Sequence, residues 1–232
     1  RAADAEAARA RLLAAAWRTA WEELAHDRAF AVTRCLASTA ELPALGGDRI
    51  AHRTITRGDF RAPHESQHLT VVRPMAGART LAHVATSLVC VGRLRAEEVA
   101  RDRFEVAFED VRYLALLDRD GSWWNPQPQP HPEWVLRHEQ LHFDITELVA
   151  RRYDARSAHD AGRTKFVATT PGAALRGFAE RWAAHMEAVR AEEAKLQERY
   201  DRETRHGQVP PAQTAWLLRI HRELAGLPAA ER

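Results

Sequence analysis

Apolar residues recur along this chain with two different periods, and the change of period marks out its elements. Leu12, Leu13, Trp17, Trp21 and Leu24 fall at helical spacing in an Ala-rich stretch. They predict a helix from residue 2 to about 27, with a pattern that can be followed on to Leu36. Pro43 and the Gly46-Gly47 pair then break the chain. Between about 50 and 120 the pattern shortens to runs rich in Val, Leu and aromatics, at 69–74, 85–94 and 104–118, with clean alternation at 104–108. These predict strands of a small sheet, although 91–104 also reads with a helical turn in it.

Four prolines within 125–132 hold the next stretch extended. Pro132 fits a first helical position, where the missing N–H costs nothing. From there to Tyr153 the helical period returns, with Trp134, His138, Leu141, Ile145 and Leu148 on one stripe. Residues 154–172 read as a polar loop. A long helix over about 172–206 buries Leu175, Phe178, Trp182, Met186, Val189, Leu196 and Tyr200. Gly207 stops it, and Pro210-Pro211 forbid its continuation. A last helix at about 211–225 buries Trp216, Leu217 and Ile220. The organisation expected is an N-terminal helical segment over 1–45 and a mixed α+β domain over 46–232.

Composition narrows the function classes. The chain has 232 residues, 45% of them apolar, which is enough for a core, and no run of about eighteen apolar residues that would span a membrane. The formal charge is +2, carried almost wholly by Arg and interspersed with acids, so no nucleic acid is expected as a partner. Cys35 and Cys90 are too far apart to be a Cys-x-x-Cys metal pair, and the sequence leaves open a disulfide or two buried thiols.

The motif that carries chemistry is His138-Glu139-Gln140-Leu141-His142. Residues four apart on a helix project from one face, so both imidazoles can reach one zinc ion, and the Glu beside the first His can take a proton from bound water. Roughly one chain in twenty of this composition would contain the bare motif by chance, so its helical context matters. A third ligand must come from elsewhere, because Ile145 and Leu148 stand where a following Gly and His would fall. The segment 200–207 supplies candidates. His206 at the helix end is the expected ligand, Glu203 its rival, and Asp201 and Glu193 follow. Tyr200 reads either as a donor to a tetrahedral oxyanion or as a core tyrosine. Asp144 points away from the metal face, and the scattered His64, His68 and His83 read as structural or solvated.

Together these segments resemble the predicted secreted zinc-dependent proteases of bacteria, a family catalogued as a domain of unknown function. Its first hallmark, HEQ-x-HFDI followed by an acid and Ala-Arg, is matched by 138–145 with Glu147 and Ala150-Arg151. Its second, YD-x-ET-x-HG, then a Gln and a Trp, is matched by Tyr200, Asp201, Glu203, Thr204, His206, Gly207, Gln213 and Trp216. Ser122-Trp123 and Asp59-Phe60 are weaker matches, and the likeness covers about 50–225. Leu141 stands where the family commonly has Gly, and Arg57 where a Trp is expected.

The resemblance implies a zincin-like metallopeptidase with His138, His142 and His206 on Zn2+, Glu139 as general base and Tyr200 assisting. It implies a peptide or protein substrate aligned on a sheet edge, for which 111–118 is the candidate. It also implies a secreted or periplasmic protein, whose signal peptide would precede Arg1. A zinc-binding scaffold without activity and a metal-free helical interaction module are the competing expectations.

Overall fold

The computed structural model describes residues 2–27, 30, 35–63, 81–127 and 131–228. Helix α1 spans Ala2–Ala25, a 3-10 turn spans Thr39–Leu45, and β1 spans Arg49–Ala51. After a second 3-10 turn at Arg57–Asp59 come two long strands, β2 (Ala82–Ala100) and β3 (Arg103–Trp124). Then follow α2 (Pro132–Asp154), α3 (Ser157–Thr164), β4 (Phe166–Ala168), α4 (Pro171–Thr204) and α5 (Pro210–Ala225). The fold is mixed α+β with a small antiparallel sheet. Among the described residues no helix is long and apolar enough to cross a membrane.

Several boundaries differ from expectation for local physical reasons. The run at 69–74 lies outside the described residues. The stretch 91–104 holds no helical turn, because β2 continues through it to a two-residue turn with Asp102 at φ 55°. Its charges are cross-strand partners: Arg93 meets Glu109 at 2.8 Å, and Arg95 meets Glu105 at 2.7 Å. The polar loop expected over 154–172 contains α3 and β4. Of the candidate edge at 111–118, residues 116–118 are covered by β1. The strand order is β1-β3-β2, with Leu116, Leu117 and Asp118 of β3 paired to Ala51, Ile50 and Arg49. In that order β2 is an outer strand.

The chain forms two compact units, each gathered from three segments. One contains 1–37, 90–111 and 156–189. In it Trp17 of α1 packs edge-on to Phe104 at 5.9 Å, and Phe108 packs against Phe178 and Trp182 at 5.1 and 4.7 Å. Cys35 and Cys90, 55 residues apart, form a disulfide in this unit. The other contains 38–89, 112–155 and 190–232. Its core is Leu141, Ile145, Leu148, Tyr200, Trp216 and Ile220, all buried. Burying each such side chain contributes about 1.5–3 kcal/mol. This cluster clamps α2 between the last turns of α4 and α5, and so fixes which face of the motif helix meets residue 201.

Candidate metal centre

His138 and His142 sit one turn apart on α2, as their spacing requires, and their rings meet edge-on at 4.7 Å. Their Nε2 atoms are 3.2 Å apart. Oδ1 of Asp201, on the last turn of α4, is 3.2 Å from Nε2 of His138 and 3.1 Å from Nε2 of His142. These three residues form the group, among the described residues, that could hold a metal ion.

The spacing fits a cation. Ligand atoms bound tetrahedrally at 2.0–2.1 Å stand about 3.3 Å from one another. Two imidazole nitrogens and a carboxylate oxygen turned toward one point repel unless a proton or a metal lies between them. The electrostatics agree with that demand. Burial pushes the Asp201 carboxyl up, but the two imidazoles outweigh it and hold it far below the usual range. Burial disfavours the charged form of both rings. It wins at His138, which falls to about 4, whereas Asp201 raises His142 to about 9.

The other expected residues take distinct places. Glu139 is buried, and its Oε2 accepts a hydrogen bond from the backbone N–H of Val84 on β2 at 3.0 Å. Burial raises its carboxyl to about 7. His206 lies beside the group, with Nδ1 3.3 Å from Oδ1 of Asp201. Glu203 faces out, bonding Arg199 at 2.7 Å and the indole N–H of Trp216 at 2.8 Å. Glu193 accepts from the Thr146 hydroxyl at 2.6 Å. Tyr200 is fully buried, its ring stacked on His138 at 4.7 Å and edge-on to His142 at 4.9 Å. Its hydroxyl faces the His138 carbonyl oxygen at 3.4 Å, so in this geometry it is the wall behind both imidazoles.

Asp201 is carried inward by α4 itself, and the loop after it turns His206 back toward Asp201. Arg205, His206 and Gly207 take left-handed φ values of 50°, 53° and 79°. The His206 N–H bonds the Asp201 carbonyl at 2.9 Å, and the Val209 N–H bonds that of Thr204 at 3.0 Å. Asp144, on the opposite face of α2, ties neighbouring segments together. Its carboxylate accepts from His52 at 2.8 Å, Gln140 at 2.7 Å and His221 at 3.1 Å. Gln197 was not anticipated from the sequence, and His83 was expected to be structural or solvated. Gln197 lies one turn before Asp201 and meets His142. His83, half-buried on β2 beside Val84, feels the charges of His142 and Asp201, and burial lowers its pKa.

No protein-family model matches the chain, and no curated protein or solved structure matches it.

Proposed function

We propose that this chain is a zinc-dependent metallopeptidase with a zincin-like centre, of the kind its two motifs resemble. The reading rests on one observation: two imidazole nitrogens and one carboxylate oxygen lie 3.1–3.2 Å apart, with Glu139 next in sequence to the first ligand. His138, His142 and Asp201 would hold the ion. Zinc bound there supplies Lewis acidity, making a water acidic near neutral pH and polarising a carbonyl.

The protein's own groups do the rest. Val84 fixes Oε2 of Glu139, which leaves Oε1 to accept a proton from the attacking water and return it to the leaving amine. Tyr200 holds both imidazoles by packing, and His206 steadies Asp201.

The free edge of β2 supports an extended peptide as substrate. Backbone groups of alternate residues point to the same side of a strand. Val84 N–H turns away from β3 to reach Glu139, and the Cys90 carbonyl turns away to meet Leu36. Between them Thr86 and Leu88 present that edge, and no strand covers it among the described residues. A cavity of about 310 Å³ opens there, lined by Thr86, Leu88, Arg49, Arg190 and Glu193 among others. The disulfide supports an exported location, since cytosolic thiols are kept reduced.

Metal analysis of the purified chain and turnover of a mixed peptide library test the reading. One zinc per chain is expected. Glu139→Gln is expected to keep the metal and lose turnover by about 10²–10⁴-fold. Unchanged turnover in that variant, or none in the zinc-loaded wild type, would leave a silent metal-binding scaffold instead.

A further inference from the structure

The side-chain amide of Gln197 meets His142 twice. Its Nε2 lies 2.9 Å from the His142 carbonyl oxygen, and its Oε1 lies 2.6 Å from His142 Nδ1. A carbonyl oxygen only accepts, so the amide edge facing it must be the NH2 group. The other edge is then the amide oxygen, which also only accepts. Nδ1 of His142 must therefore carry the proton. A neutral imidazole protonated at Nδ1 presents a lone pair at Nε2. That Nε2 is the atom 3.2 Å from its counterpart on His138 and 3.1 Å from Asp201.

The amide is itself held in this orientation. Its Nε2 also lies 3.2 Å from Oγ1 of Thr146, whose hydroxyl donates to Glu193 Oε1 at 2.6 Å. Turning the amide over would set two acceptor oxygens against each other at the His142 carbonyl. His138 has nothing comparable, for its Nδ1 has no hydrogen-bond partner among the described residues.

We propose that Gln197 is a positioning residue that selects the Nδ1–H tautomer of His142 and aims its Nε2 at the cation. The proposal builds on the metal reading of His138, His142 and Asp201, and adds a residue that touches neither metal nor substrate. Partners of this kind fix ring orientation in metal sites, and their loss costs about 10–100-fold in affinity.

The test is Zn2+ titration of the full chain carrying Gln197→Met, which keeps length but makes neither hydrogen bond. Affinity is expected to fall about 10–100-fold with the circular dichroism spectrum unchanged. Gln197→Glu keeps an acceptor toward Nδ1 but sets a second oxygen against the His142 carbonyl, so it is expected to recover only part of that loss. In 15N-histidine NMR spectra of the zinc-loaded wild type, His142 Nδ1 is expected to carry a slowly exchanging proton. Wild-type affinity in Gln197→Met, or coordination through Nδ1, would overturn the proposal. If Gln197→Met does not fold, the wild-type spectrum decides. If the wild type binds no divalent cation, the metal reading fails by itself. The tautomer is then read in the metal-free protein at alkaline pH, where an Nε2–H form of neutral His142 overturns the clamp and an Nδ1–H form upholds it.

Discussion

Gly207 backs onto the His138 side chain: a methyl group on its Cα would stand 3.1 Å from Cγ and 3.3 Å from Cβ of His138. Its φ of 79° also sits in the left-handed region that other residues resist. Two costs therefore act at one position. Gly207→Ala is expected to lose about 1–2 kcal/mol of stability from backbone strain alone. It should also turn the His138 ring and weaken Zn2+ binding about tenfold or more. Thermal unfolding and zinc titration measured together check this. A variant with native zinc affinity would show that the ring has room to spare.

Asp201 and His206 can be ranked by substitution. Asp201 reaches both imidazoles, whereas His206 meets Asp201. Asp201→Asn is expected to weaken zinc binding by about 100-fold or more, and His206→Ala by about tenfold, since it removes only a supporting contact. The measurement is competition with a chelator of known affinity. The reverse order would make His206 the third ligand.

The site was legible in the sequence as far as helical geometry reaches. An i, i+4 pair on one helix must converge, so His138 and His142 needed no tertiary information. The third donor did, because spacing within α4 cannot say which of its residues meets α2, and the left-handed residues after Thr204 turn His206 in a direction that spacing cannot give. The sequence ranked His206 first, Glu203 second and Asp201 behind them, and the packing of Tyr200 against α2 is what sets Asp201 beside both imidazoles. Gln197 was invisible because an amide is not a ligand type, although it stands one turn before Asp201. The long strands were blurred for a related reason: the charges of 93–105 look solvated until their partners across the hairpin are known.

Acid stability should pass through Asp59. Burial works to raise its carboxyl, but hydrogen bonds from Arg53 and from the backbone and hydroxyl of Thr56 together hold it at about 2. The folded pKa lies below the unfolded value, so the stabilisation is full above pH 4 and is lost as pH falls from about 4 toward 2. The shift corresponds to about 2 kcal/mol. Asp59→Asn is expected to lower stability by that order at neutral pH and to converge on the wild type near pH 2. Urea unfolding across that range checks it, and a gap that persists at pH 2 would assign the loss to packing.

The Cys35–Cys90 bridge closes a loop of 55 residues. Chain-entropy arguments give such a loop about 4 kcal/mol. Replacing both cysteines with serine should lower the unfolding midpoint accordingly. A strong reductant should bring the wild type to the same midpoint and leave the variant unmoved.

The hydrogen bond from Val84 to Glu139 has a consequence for inhibition. A ligand laid along β2 would turn only every second amide toward the strand, in step with Thr86 and Leu88. N-methylation walked along a bound peptide should then alternate between harmless and ruinous positions. The phase of that alternation would reveal which bond rests above Glu139.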